Sequence, residues 1–136
     1  MTSKTTQIQV RGYHLDGYRH VNHARYLEFL EDARWQMFDN SNIVADFAAK
    51  NWGFAVVNIN IDYRYLATEG DVLEIQSTVG ELTRKTITIR QIIQLKNTAK
   101  IVVRASVTFV ILDLLQQCAI TLDESLKNTL IQALSS

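Results

Sequence analysis

Hydrophobic and polar positions divide the chain into two kinds of segment. Residues 5–11 alternate, with Ile8 and Val10 on one face, and predict a first strand. After a polar loop, a helical period begins near Asn22, a residue type suited to the N-cap, and runs to about Asn40. Tyr26, Leu27, Phe29, Leu30, Ala33, Met37 and Phe38 form its apolar stripe, while Arg25, Glu28, Asp32, Gln36 and Asp39 take the opposite face. A stripe that wide suits a helix laid against a sheet. A shorter helix is predicted over residues 43–50, where Asn51-Trp52-Gly53 breaks it.

The remainder reads mostly as strand. From Phe54 to Tyr65 the odd positions Ala55, Val57, Ile59, Ile61, Tyr63 and Tyr65 are all apolar or aromatic, which predicts one long strand with one buried face. Gly70-Asp71 marks a turn before a strand over 72–82, and Thr83-Arg84-Lys85 links that strand to another over 86–95. Asn97-Thr98 closes a hairpin onto a strand over 100–112, and a last helix runs from residue 122 or 123 to 134. Short links between the strands imply antiparallel hairpins. The arrangement that best satisfies these faces is α+β: one curved antiparallel sheet of about five strands wrapped around a long central helix. The 54–65 strand is expected at an edge, where unpaired backbone invites a second chain. A homodimer or homotetramer is the expected assembly.

Length and charge narrow the function. A chain of 136 residues fits a single domain, 1–136. Basic and acidic residues number 14 each, so nothing favours a nucleic-acid binder working through phosphate neutralisation. The longest apolar run, 107–115, contains Thr108 and Asp113 and is far short of the roughly 20 residues of a membrane helix, so no membrane insertion is expected. The N-terminal residues have no apolar core of signal-peptide length. Cys118 has no second cysteine to pair with and is expected as a small buried hydrophobe, so the protein is read as cytoplasmic. The chain lacks a metal-ligand spacing of histidines and cysteines, and no metal or organic cofactor is implied.

Candidate chemistry concentrates between Arg11 and Arg34. All three histidines, His14, His20 and His23, fall within ten residues, beside Asp16, Tyr13 and Tyr18. They precede a helix whose first N–H groups have no helical partners and favour negative charge. The competing reading is an ordinary polar loop feeding an N-cap.

The run Tyr13-His14-Leu15-Asp16-Gly17-Tyr18-Arg19-His20-Val21-Asn22-His23-Ala24-Arg25-Tyr26 resembles the aromatic-x-D-x-D-x-x-G-H-V-N-N-x-x-Y motif of the 4-hydroxybenzoyl-CoA thioesterase branch of the hotdog fold. The continuation to Arg34 resembles the Y-L-x-F-x-E-x-A-R run of bacterial acyl-CoA thioesterases, most of all the long-chain acyl-CoA thioesterases of type III. Residues 60–67 and Gly70-Asp71-Val72-Leu73 match the strand and turn that follow the helix in that family. Four positions depart from the pattern: His14 replaces the first aspartate, Arg19 the usual glycine, His23 the usual second asparagine, and Leu66 a frequent proline.

The resemblance implies roles residue by residue. Asp16 is the carboxylate that attacks the thioester or activates water. The backbone N–H of His23 supplies the oxyanion donor. The His23 side chain also stands seven residues after the aspartate, the spacing of a histidine regarded as a catalytic partner in the thioesterases of the bacterial Tol–Pal system. Asn22 is a cap and loop-fixer, His20 orients the loop, and Tyr26 lies in substrate-binding position. Arg84 and Lys85 resemble a basic segment that meets CoA phosphates, with a solvated turn as the alternative. Met37, Trp52 and Phe54 are candidates for the acyl pocket. Glu28 and Glu31 are rivals for the carboxylate role, since another hotdog branch uses a glutamate on the helix. The implied activity is hydrolysis of acyl-CoA, of a long-chain acyl group, to a free acid and CoA. The alternatives are a non-catalytic acyl-CoA-binding protein and a hotdog dehydratase acting on a hydroxyacyl carrier.

Overall fold

The computed structural model describes residues 3–135. Strand β1 (Ser3–Gln9) is followed by a single 3-10 turn (Gly12–His14), then helices α1 (His23–Gln36) and α2 (Ile43–Ala49). Strands β2 (Trp52–Tyr63), β3 (Val72–Leu82), β4 (Ile87–Leu95) and β5 (Ile101–Asp113) come next, then a two-residue β6 (Cys118–Ala119) and helix α3 (Glu124–Ser135). The five long strands form one antiparallel sheet in the order β1-β3-β4-β5-β2. β6 adds to the end of β5, on the side that β2 leaves free. Helix α1 packs its apolar stripe on the sheet, which is the expected hotdog arrangement, and β2 lies at the expected edge.

Asn22 caps α1, its Oδ1 accepting the Ala24 N–H at 3.0 Å. The helix ends at Gln36 rather than near Asn40. Met37, Phe38 and Asp39 donate instead to carbonyls three residues back, a tightened last turn. The run Asp39-Asn40-Ser41-Asn42 explains the stop, because such side chains compete for backbone hydrogen bonds.

Two expectations need correction. The odd positions of β2 do not share one face along its whole length. A bulge at Val57 shifts the pairing from Val56↔Phe109 to Asn58↔Thr108. Before the bulge the even residue Phe54 packs inward; after it the odd residue Ile61 does. Cys118 is exposed rather than buried, because β6 is a short edge piece entered through Gln117 at φ 58°.

The core forms two clusters. Tyr26, Phe29, Leu30 and Ala33 of α1 pack on Leu73, Ile75, Ile93 and Val103. Met37 and Phe38, with Phe47 of α2 and Leu130 and Leu134 of α3, pack on Val79, Ile87, Ile89, Phe109 and Ile111. Near α1's midpoint lies a buried polar joint. Gln91 Nε2 donates to the Leu30 carbonyl at 3.0 Å and to Ser77 Oγ at 2.9 Å, and its Oε1 accepts from Arg34 Nη1 at 3.1 Å. These bonds offset the cost of burying an amide in an apolar interior.

Candidate functional site

The loop between β1 and α1 is tied down at both ends. Where β1 ends, the Val10 N–H donates to the Asp71 carbonyl at 2.8 Å, and the Val10 carbonyl accepts from Gly70 at 3.0 Å. At the helix end, Val21 donates to the Ala67 carbonyl at 2.9 Å and Asn22 to the His14 carbonyl at 3.0 Å. Leu15 and Val21 pair as an isolated antiparallel bridge, which turns residues 16–20 into a small closed excursion. Inside it, Asp16 N–H donates to the His20 carbonyl at 2.9 Å.

Asp16 organises the excursion through one carboxylate oxygen. Oδ1 accepts the Tyr18 N–H at 2.9 Å and, more weakly, the His20 N–H at 3.4 Å. Oδ2 accepts no hydrogen bond from the described residues. One oxygen therefore fixes the orientation of the group and leaves the other available. Arg19 sits at φ 67°, the left-handed region that glycine enters without cost. Its carbonyl is held there by Thr68 Oγ1 at 2.9 Å. The departure from the family glycine thus coincides with a backbone position that wants one.

Asp16, His20, His23 and Tyr26 line one open concavity of about 470 Å³, closed on its other sides by Tyr18, Val21, Tyr63, Tyr65 and Leu66. The sequence-predicted residues Asp16, His20, His23 and Tyr26 therefore come together. Asn22 stands just behind, engaged as the cap. Tyr63 Oη donates to the His23 carbonyl at 3.2 Å, and its ring meets those of His23 and Tyr26 at 6.3 and 5.7 Å. The N–H of His23, at the first helical position, has no hydrogen-bond partner among the described residues, as helix geometry leads one to expect. Burial pushes the Tyr26 phenol above its usual range, partly opposed by a hydrogen bond from the Ala67 backbone, with the charge of Asp71 and the Tyr63 phenol adding to the rise. Burial also raises Tyr63. Both hydroxyls are proton donors at neutral pH.

The other predicted residues lie elsewhere. Arg84 and Lys85 are exposed in the β3–β4 hairpin. The 11-residue β3 separates that hairpin from the turn beside Asp16, roughly 30 Å of strand. Of the acyl-pocket candidates, Phe54 lines a small hollow of about 90 Å³ with Trp35, Phe38, Val56, Ile89 and Phe109. Glu31 and Arg34 form its polar wall. Met37 is fully buried in the core, and Trp52 packs against Phe47 under Lys50. Glu28 is ion-paired with Arg25 at 2.9 Å and does not line the larger concavity. Tyr63, Tyr65 and Leu66 escaped sequence reasoning. Aromatic residues at the end of an alternating strand read as core, and only the sheet topology carries them to the helix N-terminus.

The profile of the thioesterase-like superfamily matches residues 10–130. The chain is 48% identical over 127 residues to the long-chain acyl-CoA thioesterase FadM of Escherichia coli, covering 93% of this chain and 96% of that protein. It superposes on the crystal structure of YbaW, a probable thioesterase from Escherichia coli, with a TM-score of 0.90 at 47% identity, covering 96% of this chain and 98% of that one. A 4-hydroxybenzoyl-CoA thioesterase mutant complexed with 4-hydroxybenzoyl-CoA shares the fold, with a TM-score of 0.84 at 20% identity and full coverage of both chains.

Proposed function

The chain belongs to the thioesterase-like superfamily, and from that premise we propose that it hydrolyses long-chain acyl-CoA, with Asp16 as the catalytic carboxylate. The observation that carries the reading is the shared concavity. It gathers a carboxylate with one uncommitted oxygen and a helix N-terminus with an uncommitted N–H. Thioester hydrolysis calls for those two parts, a base or nucleophile and a donor for the developing oxyanion.

In the general-base course, Asp16 takes a proton from water as its oxygen bonds to the thioester carbon. The carbonyl oxygen becomes an oxyanion held by the His23 N–H. Collapse expels CoA thiolate, which takes up the proton, and leaves the free acid. In the nucleophilic course, Asp16 itself attacks the carbonyl carbon, and collapse of the tetrahedral adduct expels CoA thiolate and leaves a mixed anhydride. Water opens the anhydride to release the acid and restore the Asp16 carboxylate. The His23 imidazole lies in the same concavity, placed to assist either proton movement. His20 and Asn22 hold the loop, and Tyr26 and Tyr63 wall the concavity that takes the ester, with the Tyr63 O–H held on the His23 carbonyl. Glu28 and Glu31, off the larger concavity, are left out of the chemistry.

Assembly follows from β2. Its edge exposes Val56, Val57, Ile59 and Tyr63 at 47, 57, 38 and 43%, an apolar row with free backbone groups. We place a second copy there. Two-fold pairing of β2 with itself runs antiparallel, so the loop end of one sheet meets the hairpin end of the other. In that arrangement the second copy's Arg84 and Lys85 reach the phosphates of the bound CoA, a role the distance within one chain denies them. The lone cysteine and the absence, among the described residues, of a helix long and apolar enough to cross a membrane support a cytoplasmic enzyme.

Free-CoA release from short, medium, long-chain and aromatic acyl-CoAs tests the reading. Wild type should turn over long-chain substrates best, and Asp16→Asn should lose at least about 10²-fold in rate, the scale of an acid–base residue. Binding without turnover by the wild type would instead identify an acyl-CoA-binding protein.

A further inference from the structure

The position where this chain departs from the family aspartate, His14, carries more than a filler's contacts. Its imidazole Nδ1 accepts the Arg11 backbone N–H at 2.9 Å, and the His14 backbone N–H donates to the Arg11 carbonyl at 3.0 Å. Its carbonyl accepts the Asn22 N–H, the residue that caps α1. The ring is half-buried, edge-on to Tyr13 at 4.5 Å and to Phe29 of α1 at 4.9 Å. One residue thus joins the strand end, the 3-10 turn and the helix cap, two positions before Asp16.

The bond from Arg11 constrains the protonation state of the ring. A nitrogen that accepts an N–H must keep its lone pair, so the proton of the neutral imidazole sits on Nε2. Protonation would turn Nδ1 into a donor facing another donor. An aspartate or asparagine here could accept the same N–H without that liability near neutral pH. The choice of histidine therefore ties a backbone brace to a group that titrates in the physiological range.

We propose that His14 is a positioning residue for the hydrolysis: its neutral imidazole braces the loop that aims Asp16, and protonation of the ring releases that brace and lowers the rate. The proposal rests on Asp16 being the catalytic carboxylate. The charges around the ring agree with it. Burial lowers the His14 pKa first, the Arg25 charge on α1 lowers it next, Glu28 on α1 opposes, and Arg11 on the turn adds a smaller lowering. Arg25 and Glu28 are paired with each other, and the β2–β3 turn contributes Glu69 beside Gly12. A folded pKa below the unfolded value means that the unfolded chain binds the extra proton more readily. Stability therefore rises with pH through the window just below about 6.5, and it falls as the pH drops through the folded pKa.

The test uses His14→Asn and His14→Ala in the full chain. Asparagine keeps an acceptor for the Arg11 N–H but does not titrate. The kcat/KM profile of wild type should fall on the acid side in the imidazole range. In His14→Asn that limb should move down by about one pH unit or more, toward the carboxylate range. His14→Ala should lose several-fold in kcat at neutral pH with KM nearly unchanged, and His14→Asn should recover most of it. Superimposable profiles for wild type and His14→Asn would overturn the proposal and assign the acid limb to His20, His23 or Asp16. The Arg11 amide proton, followed by NMR, supplies a readout independent of turnover and of how His14→Ala folds. Its shift should follow an imidazole titration in wild type and stay flat in His14→Asn; a flat response in wild type would equally overturn the brace. If no acyl-CoA is hydrolysed at any pH, the thioesterase reading falls, while the amide titration still decides whether the brace exists.

Discussion

The two halves of the molecule on either side of Gln91 solve different problems. On the loop side, side chains and backbone hold each other: the Asp16 carboxylate accepts from the Tyr18 and His20 N–H groups, Thr68 Oγ1 holds the Arg19 carbonyl, and the Asn22 and Tyr63 side chains hold the helix start. On the hairpin side the packing is aromatic and aliphatic, with the Phe54 ring meeting those of Phe38, Phe47 and Phe109, and the cations Arg84 and Lys85 stand in solvent. A fixed carboxylate is what chemistry needs. Exposed cations suit a ligand that arrives later. The difference teaches that the polar groups proposed for the reaction are held by their own chain, whereas the cationic side chains proposed for CoA are not fixed by any hydrogen bond or ion pair among the described residues.

The border between the halves offers the larger perturbation. Gln91→Leu removes the partner of Ser77 and Arg34 inside a closed interior and should destabilise the fold by about 1–3 kcal/mol in urea denaturation. A variant as stable as wild type would mean that the two clusters need no polar joint.

On the hairpin side, Arg84→Gln combined with Lys85→Gln should raise KM for acyl-CoA by up to about tenfold, since exposed charge contacts supply roughly 0.2–1 kcal/mol each. The rate at saturation should hold, and an acyl thioester lacking the nucleotide should show no change. An equal effect on both substrates would remove the phosphate role.

The smallest effect belongs to the loop side. Arg19→Gly relieves a left-handed residue and should stabilise the protein by up to about 1 kcal/mol, read as a rise in Tm. A loss of stability would show that the Arg19 side chain, 3.9 Å from Glu69, outweighs the strain.

The sequence made the same division visible only in part. The helix stripe, the hairpin turns and the cluster around Asp16 were legible because local period, cap chemistry and motif all agreed. The placement of Asn22, His23 and Tyr26 followed from the same local rules. The phase change in β2 was not legible, since a bulge at Val57 leaves an uninterrupted apolar pattern on paper. Nor could Tyr63 and Tyr65 be assigned to the site, because their neighbours come from α1 and the 66–67 turn through tertiary pairing alone. Arg84 and Lys85 illustrate the converse. A motif can identify a chemical type while the fold sets it at the opposite end of the sheet from the Asp16 loop.

The most direct test of the central assignment is the split between binding and turnover in Asp16→Asn. Affinity for a long-chain acyl-CoA would be measured by calorimetry, and single-turnover CoA release followed on the same preparation. Asparagine preserves the Oδ1 acceptor that shapes the loop, so the variant should bind within a few-fold of wild type and lose at least about 10²-fold in rate. Wild-type turnover in Asp16→Asn would contradict the account and move the chemistry away from this loop.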